Sequence, residues 1–225
     1  MTNYLELDAL EPNITIIDNI IVSYYGEMPK KGVFVSFCTK TEKRTRVALY
    51  QMGLEIALNG YDAIYIPASL ASYSFEKGVR DGNGRLFQVL PYSLKKNKPS
   101  YSSKALLSGG GIISCFDTEG FSIENLNRAK EIAVMLAKAV IIAEDKKSYK
   151  RPFSYVNIAL DSGKDIALLF DALSSPFARN LLKEGCPLIH SFSDFLLKPR
   201  FVSFSQNKGI YGIEGEFFDI IKIDE

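Results

Sequence analysis

The run Ala139-Val140-Ile141-Ile142-Ala143 offers no polar side chain to either face of a strand. Such a strand is stable only when both faces are covered, as in a parallel sheet held between two helical layers. The same texture recurs along the chain. Val33 to Phe37, Ala63 to Ile66, Leu86 to Leu90, Ile112 to Cys115, Ile166 to Phe170 and Pro187 to Ile189 are short, apolar and β-rich. Helical patterns separate them, at about Glu42 to Leu58, Ser72 to Val79, Lys104 to Ser108, Ile123 to Leu136, Phe153 to Leu160 and Pro176 to Lys183. Thr39-Lys40-Thr41-Glu42 reads as a capping box for the first of these. Asn59-Gly60, Ser162-Gly163 and Gly185 supply helix stops. Strand–helix–strand alternation with short links predicts right-handed crossovers and a parallel sheet.

The expected fold is therefore α/β: a three-layer, Rossmann-like parallel sheet with helices on both faces. Short β additions are expected at both ends. Ile14 to Ile17 and Ile20 to Tyr25 read as strands ahead of the core. Phe201 to Ser205 and Ile210 to Ile213 flank Gln206-Asn207-Lys208-Gly209, a hairpin signal, and Phe217 to Ile223 could add a last strand. The expected organisation is an N-terminal strand extension over 1–30, a core over 31–197 and a β appendage over 198–225. Apolar residues make up 47% of the 225, enough for a sizeable core.

Several chemistries find little support. The three cysteines, Cys38, Cys115 and Cys186, form no CxxC pair, so neither zinc nor a disulfide framework is expected. The single histidine, His190, reads as structural or surface, and leaves a catalytic triad without a base. Glu144-Asp145 could hold a metal, yet no matching ligands accompany it and a surface loop is the simpler reading. Gly109-Gly110-Gly111 precedes a strand and lacks a GK[ST] ending, so it reads as a turn. No catalytic residue, metal or cofactor is assigned. No apolar run approaches a membrane span and the N-terminus lacks an apolar signal core, so a cytoplasmic location without membrane contact is expected. The net charge of +1 gives no global basic field, so any nucleic-acid site must be a local patch.

In a parallel sheet of this kind, ligands bind beyond the carboxyl ends of the strands. That directs attention to the loops Phe37 to Thr41, Pro67 to Ser72, Glu144 to Arg151 and Phe170 to Phe177. The segments that bound them resemble, in order, the core of the DprA/Smf family of DNA-processing proteins over about residues 14 to 196. NGYDAIYIPASLASYSFEKGV at 59–79, GGIISCFD at 110–117, NRAKEIAVMLAKAVIIAED at 127–145 and YVNIALDSGKDIALLFD at 155–171 each resemble a family segment. ARNLLKEGCPLIHSFSDFL at 178–196 is the best single match. Phe37-Cys38-Thr39 stands where the family has Gly-Ser-Arg, Ala71-Ser72-Tyr73 where it has Gly-Ile-Asp, and Phe170-Asp171 where it has Pro-Gly. Losing glycines that let backbone N–H groups approach phosphates argues against an unchanged phosphate cradle.

The resemblance implies a single-stranded DNA-binding accessory protein of DNA uptake and recombination. It implies a RecA-type recombinase as a further partner, and a homodimer. Single-stranded DNA asks for cations along its backbone and aromatics for its bases. The residues placed in that role are Thr39, Lys40, Ser69, Asn127, Arg128, Lys130, Lys150, Arg151, Arg179 and Asn180. Tyr73, Tyr149, Phe153 and Phe177 are the stacking candidates. Arg128 could instead pair with Glu124 or Glu131 along its helix. Two other functions stay open: a protein-interaction module that kept the fold and lost the DNA site, and a Rossmann-type nucleotide-binding enzyme.

Overall fold

The computed structural model describes residues 11–38, 41–67, 69–96, 103–144, 154–197, 203–205 and 210–212. It opens on an antiparallel ribbon, β1 (Asn13–Ile17) and β2 (Ile20–Gly26). Asp18 and Asn19 form its two-residue loop with φ of 47° and 65°. Consecutive positive φ values give a turn whose twist matches the flanking strands, and Asp and Asn tolerate them better than other side chains.

The core then alternates: β3 (Gly32–Phe37), α1 (Lys43–Leu58), β4 (Asp62–Tyr65), α2 (Ser69–Asp81), β5 (Leu86–Val89), α3 (Lys104–Leu107) and β6 (Gly111–Ser114). It continues with α4 (Ile123–Leu136), β7 (Ala137–Ala143), α5 (Ser154–Asp161), β8 (Asp165–Leu169), α6 (Pro176–Lys183), β9 (Leu188–Ile189) and α7 (Phe192–Leu197). A 3₁₀ turn, Phe170–Ala172, links β8 to α6. The nine strands form one sheet in the order β1-β2-β6-β5-β4-β3-β7-β8-β9. From β6 to β9 all neighbours are parallel, whereas β2 joins β6 antiparallel. The sheet is thus mixed, and its parallel part is the expected one. β10 (Ser203–Ser205) and β11 (Ile210–Gly212) pair antiparallel as the hairpin signal predicts. The segment 217–223 lies outside the described residues.

Strand periodicity divides the core into two layers. Val33, Val35 and Phe37 of β3 and Ala139, Ile141 and Ala143 of β7 pack with α1, α2, α3 and α7. Phe34, Val140 and Ile142 face α4, α5 and α6. α1 and α2 meet closely at two glycines. A Cβ on Gly78 would overlap the Tyr50 carbonyl, and one on Gly53 would meet the Phe75 carbonyl at 2.5 Å. α4 begins as its sequence suggests, with the Ser122 side chain accepting from the Asn125 N–H at 3.0 Å. The expected capping box on α1 is different: the cap is Glu42, and its side chain makes no capping hydrogen bond.

At the amino edge of the strands, Asp62 ties three segments together. It accepts from the Lys30 and Lys31 N–H groups at 2.7 and 3.1 Å and pairs with Arg85 at 2.6 Å. This leaves the opposite, carboxyl edge to display the loops between elements.

Candidate functional site

The strand order reverses between β3 and β7. From β3 the chain steps through β4, β5 and β6 to one side, then crosses to β7, β8 and β9 on the other. The crevice at such a reversal is where open α/β sheets hold ligands. Here Phe37 pairs with Ala143, so the crevice opens just past Ser36 on one strand and at Glu144 on the other.

Glu144 fills that crevice. It is 1% exposed, which corrects the surface-loop reading of this position. Lys130 of α4 donates to its Oε1 at 2.6 Å and the Tyr155 hydroxyl of α5 donates to the same atom at 3.0 Å. The Ser36 hydroxyl of β3 donates to it as well. The Lys130 Nζ also lies 5.1 Å from the centroid of the Tyr155 ring. A buried carboxylate needs a cation and hydrogen-bond donors, and three elements, β3, α4 and α5, supply them here. Burial, and then the Glu144 charge, holds the Tyr155 phenol well above its ordinary range, so it stays a donor. The donors that would greet a phosphate in this crevice are engaged by the chain's own carboxylate.

A second buried carboxylate lies on the other face. Glu76 of α2 accepts from the Tyr65 hydroxyl at 2.8 Å and from Lys104 of α3 at 2.5 Å. Gln88 of β5 donates to the Tyr65 oxygen. Burial, and then Glu76, raises the Tyr65 phenol well above its usual range. Lys104 also sits 4.9 Å over the ring of Tyr73, one of the stacking candidates, which is itself exposed.

The residues expected to meet DNA fall into three groups. Thr39, Lys40, Lys150 and Arg151 lie outside the described residues, as do Tyr149 and Phe153. Ser69 is the first residue of α2. The rest lie on α4 and α6, in the layer on one face of the sheet. Arg128 is exposed and pairs with Glu131 at 2.7 Å, as the helical spacing allowed. Asn127 is half-buried beside it. Lys130 points inward to Glu144 and is engaged there. Arg179 and Asn180 are exposed on the first turn and a half of α6. Phe177 is partly buried and packs against the core. The two exposed arginines share a layer and an edge, but α4 packs on β3, β5, β7 and α5, whereas α6 packs on β8.

Other details bear on chemistry. Ser175, the cap residue of α6, is buried and its hydroxyl has no hydrogen-bond partner among the described residues. Gly110 is glycine because a Cβ there would overlap the Leu86 carbonyl. Gly109, with φ of 72°, closes the turn after α3 as the sequence suggests, and Gly110 and Gly111 are where neighbouring backbone approaches closely. None of the three cysteines is in a disulfide. Burial pushes the Cys115 thiol up to about 11, which keeps it protonated and unreactive at neutral pH. Among the described residues no group of His, Cys, Asp and Glu is arranged to hold a metal, and no helix is long and apolar enough to cross a membrane.

Set against solved structures, this architecture matches DNA processing protein A from Streptococcus pneumoniae with a TM-score of 0.63. The match has 18% identity and covers 82% of this chain and 67% of that one. The fold is that of DNA processing protein A. The Helicobacter pylori DprA, described for its single-stranded DNA binding mode, matches at a TM-score of 0.58 and 18% identity, over 80% of this chain and 88% of that one. The molybdenum cofactor carrier protein of Chlamydomonas reinhardtii matches at 0.51 and 15% identity, over 75% of this chain and 95% of that one. No family model and no curated protein matches the sequence. The DprA-like fold accounts for the strand order and for the carboxyl-edge position of the loops.

Two features of this edge escaped the sequence. Glu144 closes an apolar strand and precedes a charged run, which reads as the way out to solvent. Only the sheet brings Ser36 and Tyr155 beside it. Phe170 reads as the end of a strand, yet it is the first residue of the 3₁₀ turn and half exposed.

Proposed function

We propose that this chain binds single-stranded DNA along the carboxyl edge of its sheet, as a DprA-like accessory protein of DNA uptake and recombination. The observation that carries the reading is the DprA-like fold combined with the placement of its cations. Arg128 and Arg179 are exposed on helices of that edge, and the sequence adds Lys40 shortly after β3 and Lys150 and Arg151 shortly after β7. With a net charge of +1, only such a local patch could hold a polyanion. The reading extends to a cytoplasmic homodimer that presents its DNA to a RecA-type recombinase.

Anisotropy of a labelled oligothymidine, titrated across salt, tests it. Binding should weaken with a log–log slope of about −0.7 per phosphate contact, or about −3 for four contacts. No binding at low salt sinks the reading.

A second reading has its own support. Lys130 is drawn into the interior and Arg128 is paired with Glu131, so part of the expected cation set is already satisfied within the chain. A fold kept for protein interaction alone predicts no DNA affinity, and the same titration separates the two. Nucleotide hydrolysis in the β3–β7 crevice is disfavoured, because Lys130, Tyr155 and Ser36 there already donate to Glu144.

A further inference from the structure

β8 and β9 are parallel neighbours, with Leu169 opposite Ile189. One residue further on, both strands leave the sheet at its carboxyl edge, and the residues there are Phe170 and His190. Their rings stack with centroids 4.4 Å apart and planes 28° apart. The pair is held from below. Asp171, next to Phe170, accepts from the Thr45 hydroxyl of α1 at 3.3 Å through its carbonyl. The His190 N–H donates to Asp194 of α7 at 2.9 Å, and the Ser191 N–H donates to the same carboxylate oxygen at 3.2 Å.

Phe170 is nonetheless 44% exposed and His190 is exposed. Among the described residues the imidazole nitrogens make no hydrogen bond. A solvent-facing pair of aromatic rings brings little to the core. It also stands at the edge where a ligand of this fold would lie, in a position where the resembling family has Pro-Gly. The 3₁₀ turn that starts at Phe170 leads directly into α6, whose exposed Arg179 lies one turn in.

We propose that the Phe170–His190 pair is a nucleobase-stacking platform, with Arg179 available to the neighbouring phosphates. The proposal rests on the DNA-binding reading above and names a stacking point for its bases. A flat π-face accepts any base, so the platform adds affinity without sequence preference.

The chain contains no tryptophan, so Phe170→Trp introduces a single reporter. The full-length variant is titrated with oligothymidine and with an abasic oligonucleotide of the same length, and wild type is followed in parallel by anisotropy. The proposal predicts quenching of the variant's emission by oligothymidine but not by the abasic strand. It also predicts that Phe170→Ala weakens oligothymidine binding by about 5- to 100-fold, with an unchanged salt slope. Unchanged emission together with wild-type affinity in Phe170→Ala overturns the platform while leaving the DNA-binding reading standing. Absence of binding by the wild type overturns both.

Discussion

Glu144 and Glu76 pose the same problem on opposite faces of one sheet. Each is a buried carboxylate that accepts from a buried tyrosine and from a lysine lying over an aromatic ring. The solutions differ in depth. Lys130 is 12% exposed and Glu144 1%, and three donors converge on one oxygen. Lys104 is 36% exposed and Glu76 7%, with its donors shared between two oxygens. The lysine of the shallower network is open to water. That of the deeper one is mostly buried, and its carboxylate stands in the crevice at the strand-order reversal, where open α/β sheets hold ligands.

The largest expected effect breaks the deeper network. Glu144→Ala leaves Lys130 as an unpaired, mostly buried cation and should lower unfolding free energy by about 3–5 kcal/mol in urea melts. Glu144→Leu combined with Lys130→Met removes both charges and should recover most of that loss. If the double variant is no better than the single one, Glu144 and Lys130 do not act as a pair. Glu76→Ala should cost less, about 1–3 kcal/mol, because Lys104 can turn to solvent. Equal costs would erase the comparison.

Alkali should act on both networks through their tyrosines. The folded phenols of Tyr155 and Tyr65 titrate above the ordinary value of 10.0 that they take when unfolded. Their contribution is complete below that value and is lost as pH rises through the folded range. Stability measured by denaturant melts should thus be flat up to about pH 9 and fall above about pH 10. The smallest effect belongs to the surface pair: Arg128→Ala should change stability by no more than about 1 kcal/mol, since Arg128 and Glu131 meet near solvent.

Much of the fold was legible because its signals are local. The uninterrupted apolar run at 139–143 announces a strand covered on both faces, and β7 is buried on both. α4 spans the expected Ile123 to Leu136, with Ile132 buried and Met135 and Leu136 partly so. The glycine stops at Gly60, Gly163 and Gly185 all take positive φ. The site was less legible because it is made by contacts distant in sequence. Ser36 and Glu144 are 108 positions apart, and nothing near either announces the other. Lys130 looks like a helix-surface cation until β7 places a carboxylate beneath it. His190 reads as structural or surface and is exposed, but its partner Phe170 is fixed by the β8–β9 register.

The central claim is that the carboxyl edge of the sheet carries the DNA. Reversing two of the candidate cations in the full chain, Lys40→Glu with Arg179→Glu, tests it most directly through anisotropy of a labelled oligothymidine at low salt. The account predicts that affinity collapses while the melting transition stays where it was. Undiminished binding by the reversed protein would contradict it.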